Sequence, residues 1–66
     1  MESKTIPFSD ADSGDDGVMI VRVAEGTIGL ALSLRADGDI EVFLSRDDCK
    51  ALCAALQEAV EDVRLE

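Results

Sequence analysis

The side chains of this chain that could do chemistry are carboxylates and two thiols. Histidine, tyrosine and tryptophan are all absent, which removes the commonest general base, the phenolic acid and the best stacking surface together. Asp47 with Asp48, and Glu58 with Asp62, are the carboxylate pairs that could be read as an acid and a base. That chemistry needs surroundings that drive two pKa values apart, and these positions read as solvent-facing. Ser45 has no base to activate it and stands where a helix cap is needed. Cys49 and Cys53 are four apart on a helical stretch, so both thiols share one face. Consecutive helical turns rarely supply disulfide geometry, two thiols are too few for a structural zinc site, and Lys50 points off the thiol face. No catalytic, cofactor-binding or metal-ligating residue is therefore expected, and the chain is expected not to be an enzyme.

Asp10, Asp12, Asp15 and Asp16 with Gly14 offer clustered oxygens, which hard cations want. A calcium loop of the EF-hand kind wants glycine at its sixth position and glutamate at its twelfth, where Asp15 and Val21 stand, so a solvated acidic tail is the expectation.

Lys and Arg number 6 against 15 Asp and Glu in 66 residues, a formal net charge of -9. Phosphate contacts require cations, so a direct nucleic-acid ligand is not expected, and attraction runs toward basic protein surfaces. No apolar run approaches the roughly 20 residues of a membrane-spanning helix. The acidic start lacks the basic and apolar regions of a signal peptide. A cytoplasmic protein, of a bacterial or phage-infected cell, with no membrane partner is the expectation, and its thiols are read as reduced.

Around these side chains the pattern asks for few elements. Residues 1–17 hold five acids, three serines, Pro7 and two glycines, with only Ile6 and Phe8 to bury, and read as a disordered acidic tail. Residues 18–66 read as one domain. Val18 to Ala24, Thr27 to Arg35 and Asp39 to Leu44 are rich in Val, Ile and Leu and read as strands. A two-residue Glu25-Gly26 turn sets Val23 opposite Ile28, Val21 opposite Leu30 and Met19 opposite Leu32, apolar against apolar. A three-residue Ala36-Asp37-Gly38 loop sets Leu34 opposite Ile40 and Leu32 opposite Val42. Ser45 reads as an N-cap with Asp48 three residues on, and the helix starts at Arg46. Cys49, Leu52, Cys53, Leu56, Val60 and Val63 recur at three- and four-residue intervals, a stripe that should cover the apolar sheet face. The expected fold is α+β: a three-stranded antiparallel meander followed by one C-terminal amphipathic helix packed on one face, β-β-β-α.

Two surfaces are left over. On the second sheet face Val18, Ile20, Ala31 and Phe43 form an expected self-association patch among Arg22, Ser33, Arg35 and Glu41, to which Ile6 and Phe8 of the tail could instead fold back. The strands at 18–24 and 39–44 are the expected free edges. The other surface is acidic. Glu58, Glu61, Asp62 and Glu66 crowd the helix C-terminus, where the helix dipole disfavours anions by a few tenths to about 1 kcal/mol each. With Glu41 and the turn acids Glu25, Asp37 and Asp39 they define an expected binding surface for a basic protein partner, its residues Glu41, Glu58, Glu61 and Asp62. The functional expectation is a non-catalytic acidic protein-binding module that docks on a basic surface, in the manner of a phage-type inhibitor mimicking nucleic-acid charge. The alternative is a self-associating, dimeric structural or adaptor subunit. Salt separates them, since mimicry weakens steeply with ionic strength and an apolar contact does not.

Overall fold

The computed structural model describes residues 2–65, the last of them in its backbone only. Four strands and a helix follow one another: β1 (Ser3–Ser9), β2 (Asp16–Ala24), β3 (Thr27–Leu34), β4 (Gly38–Leu44) and α1 (Arg46–Leu65). The strands form one antiparallel sheet in the order β1-β2-β3-β4. The fold is α+β, with four strands where three were expected.

The extra strand is the correction to the tail. Ser3–Ser9 pairs along β2 with Ile6 opposite Met19 and Thr5 opposite Ile20. Lys4, Ile6 and Phe8 alternate with Ser3, Thr5, Pro7 and Ser9, so a period of two is present in a segment whose polar composition hides it. Pro7 is tolerable because β1 is an edge strand, where an amide can be missing without breaking a ladder. The free edges are consequently β1 and β4, not β2 and β4. Ile6 shares the face of Met19, so it does not fold back over the Ile20 face.

Acids hold the connection between β1 and β2. The Asp10 carboxylate accepts from the Ser13 hydroxyl at 2.6 Å and the Ser13 amide at 3.0 Å. These bonds, the hydroxyl first, hold the Asp10 carboxyl below its ordinary value of 3.8. Gly14 takes φ +79°, which closes the turn. Asp15 reaches further, accepting the Ala36 amide at 2.9 Å from the β3–β4 loop.

The first inner hairpin has the expected register, Val23 opposite Ile28 and Met19 opposite Leu32. Both turn residues have positive φ, Glu25 at 28° and Gly26 at 81°, the signature of a two-residue hairpin turn matched to strand twist. The second hairpin differs by two residues from expectation: Leu34 lies opposite Gly38, Leu32 opposite Ile40 and Leu30 opposite Val42. A slip of two keeps every side chain on its face, so the alternation is preserved while cross-strand neighbours change. The loop is Arg35-Ala36-Asp37, and the Asp15 and Asp16 contacts to Ala36 and Arg35 pin it there.

The helix begins as expected. Ser45 Oγ accepts the Asp48 amide at 3.1 Å, and Asp47 and Asp48 lie in the first turn, where the dipole favours anions. Its packing is thin. It approaches only β3 and β4, and no hydrophobic side chain among the described residues is buried. The Cα radius of gyration is 13.3 Å, against about 11 Å for a compact chain of this length.

Candidate functional site

Two-residue periodicity puts Met19 and Val21 of β2, Ile28, Leu30 and Leu32 of β3, and Leu44 of β4 on the face that α1 overlooks. Ile6 joins them from β1. Cys49, Leu52, Cys53 and Leu56 form the opposite wall on α1. Together they line an open cleft of about 470 Å³. Apart from Ile6, which was expected in a disordered tail, its residues are the ones whose spacing predicted a closed core. The stripe faces the predicted face of the sheet but does not cover it: Leu52 is 37 % exposed, Leu56 57 %, Val60 60 % and Val63 67 %.

Side-chain volume accounts for the gap. Three strands present long aliphatics, whereas two of the four stripe positions nearest the sheet are thiols and the outer two are valines. Such a stripe cannot fill the space above Met19, Leu30 and Leu32, and empty apolar volume loses dispersion contacts on both walls. A signal for this was in the sequence, in the small residues of the stripe rather than in its period.

Among the described residues no charged side chain lines the cleft. Small-molecule sites carry a few convergent polar groups on an apolar lining, and here only two thiols fill that role. Loss of hydration in the cleft wall, and then the adjacent Cys53, push the Cys49 thiol above its ordinary pKa, the direction that makes a thiol less reactive. Among the described residues no group of three or more His, Cys, Asp and Glu side chains is arranged to hold a metal ion.

The expected second-face patch is rearranged by the β4 register. Ala31 lies opposite Glu41, and Phe43 lies opposite Gly29 instead of Ala31. The absence of a Cβ at Gly29 makes room for the Phe43 ring, whose nearest carbon would stand 3.1 Å from an added Cβ, with Arg22 Cγ at 3.3 Å. Arg22 and Glu41 form an ion pair across β2 and β4. Val18, Ile20 and Ala31 are half-buried, Phe43 is 57 % exposed, and charges run between them. The structure therefore keeps Val18, Ile20 and Ala31 together, with Arg22 and Glu41 beside them, and sets Phe43 apart over Gly29.

Glu41 is separate from the helix acids, engaged with Arg22 on the sheet. Glu58 and Asp62 are exposed, and Glu61 lies 3.8 Å from Arg64. At 3.6 residues per turn Glu58 and Asp62 fall on the side of α1 away from Cys49, Leu56 and Val60, whereas Glu61 flanks the stripe and shares a surface depression with Cys53, Leu56 and Val60. Glu66 lies outside the described residues.

No family model, no curated protein and no solved structure matches this chain. No helix among the described residues is long and apolar enough to cross a membrane.

Proposed function

We propose that this chain is a non-catalytic subunit that works by self-association through the cleft between α1 and the sheet. The observation that carries the reading is a hydrophobic face with no buried side chain on it, walled by a helix that leaves it open. A folded chain of this size depends on every apolar contact it can make. Contiguous exposed apolar side chains are a mark of interaction surfaces.

The acidic reading keeps a place beside it. Glu58 and Asp62 lie opposite the stripe and Glu61 beside it, so a self-associated form still presents Glu58 and Asp62 outward, with Glu61 at the rim, to a basic protein surface. That surface, with Glu41, is the proposed contact for such a partner.

Sedimentation equilibrium at low salt and in 1 M salt tests the reading. Apolar association gives a species of twice 7.0 kDa in both, held or strengthened by salt because screening relieves repulsion between chains of charge -9. A 7.0 kDa species at both salt concentrations overturns it.

A further inference from the structure

We infer that two copies of this chain close each other's clefts reciprocally, the C-terminal half of each α1 lying on the sheet of the other copy. The inference rests on the self-association reading and assigns its geometry.

Area sets the scale. The chain exposes 5473 Å², where the size scaling of compact monomers gives about 4,000 Å² for this mass. The difference, roughly 1,400 Å² per copy, amounts to some 2,800 Å² for a pair, within the range of obligate homodimers. The excess surface of one copy is thus the amount that a second copy would hide.

Position sets the pairing. The first half of α1, through Cys49, Leu52 and Leu56, belongs to its own cleft wall. The second half carries Val60 and Val63, 60 % and 67 % exposed, past the residues that line that wall. On the sheet, Leu32 and Ile40 of the same face are 40 % and 60 % exposed. An uncovered apolar helix end and an uncovered apolar sheet surface are complementary in kind. A two-fold axis satisfies both at once and closes the assembly, as an isologous contact must.

Charge selects a second copy over a basic protein at this surface. Among the described residues no carboxylate lines the cleft itself, and carboxylates stand only at its margins, Glu61 beside Val60 and Asp39 and Glu41 beside Leu32 and Ile40. Two such chains meet with Glu58 and Asp62 outward and with Glu61, Asp39 and Glu41 at the rim of the contact.

The test uses the unmodified protein. Isotope-filtered NMR on a mixture of 13C-labelled and unlabelled chains should show intermolecular contacts between the methyls of Val60 and Val63 and those of Leu32 and Ile40. A second experiment mixes Val60→Cys chains with Ile40→Cys chains, both in a Cys49→Ala, Cys53→Ala background. Mild oxidation should join one chain of each kind into a species of twice 7.0 kDa. Intermolecular contacts of Leu52 and Leu56 with Leu30, without Val60 or Val63, overturn the reciprocal geometry and leave self-association through the cleft standing, whereas contacts confined to the β4 edge, or to Ile20 and Phe43, overturn both. A 7.0 kDa species with only intramolecular contacts overturns both.

Discussion

Replacing Val60 by alanine should loosen the pair far more than it disturbs the chain. The substitution removes two methyl groups, worth about 0.8 kcal/mol each when fully buried. Val60 is 60 % exposed in the single chain, so roughly 1 kcal/mol per copy is gained only on association. Two copies lose about 2 kcal/mol, a rise of roughly 30-fold in the dissociation constant. Within the chain, the remaining loss of roughly 0.6 kcal/mol is offset by the better helix propensity of alanine, about 0.5 kcal/mol. Val60→Asp adds a carboxylate to the contact at a cost of several kcal/mol per ion, which takes the constant up by more than about a thousandfold. Glu58→Gln, on the far side of the helix, should change it less than threefold. Sedimentation across a dilution series, read by interference optics because the chain has neither Trp nor Tyr, gives all three constants. An unchanged constant for Val60→Asp, with circular dichroism unchanged, refutes the placement of this helix end in the contact.

Acid should open the β1–β2 turn. A carboxyl whose folded pKa is lowered contributes stability above its ordinary 3.8 and loses it as pH falls through the folded value. The Ser13 amide resonance should therefore shift as pH falls below 3.8, and Asp10→Asn should abolish that step; a Ser13 resonance indifferent to pH contradicts the bonding. Ser45→Ala removes the acceptor of the Asp48 amide and should cost about 1 kcal/mol in urea unfolding, whereas no loss means the helix start is held by other contacts. Gly17→Ala brings a Cβ within 2.7 Å of the Ser33 carbonyl oxygen and 2.9 Å of Leu34 Cδ2. Backbone must move, and a loss of about 1–3 kcal/mol is expected; a neutral result contradicts the close approach of β2 and β3 there.

Three strands, the first inner hairpin and the helix start were readable because each has a local cause. Glu25-Gly26 dictates its turn, Ser45 its cap, and the alternation from Ile28 to Leu34 its face. The first strand was not readable from composition, because an edge strand needs only one apolar row and Ile6 and Phe8 supply it amid polar neighbours. The β4 register slipped by two because alternation is blind to such a shift. What fixes it is the Asp15 carboxylate on the Ala36 amide, a contact 21 residues apart in sequence. The same slip moves Phe43 from Ala31 to Gly29 and breaks up the patch read on the second face. The cleft has a similar origin. Periodicity states which side of α1 faces the sheet and is silent on how closely thiols and valines allow it to approach.

On the proposed reading, this chain completes its hydrophobic core with a second copy of itself. Thermal unfolding followed by circular dichroism across a hundredfold range of protein concentration tests this most directly, because only a protein whose folded form is an oligomer has a midpoint that depends on concentration. The predicted result is a midpoint that rises steadily with concentration, and by less in Val60→Ala over the range where that variant dissociates. A midpoint constant across the whole range would contradict it.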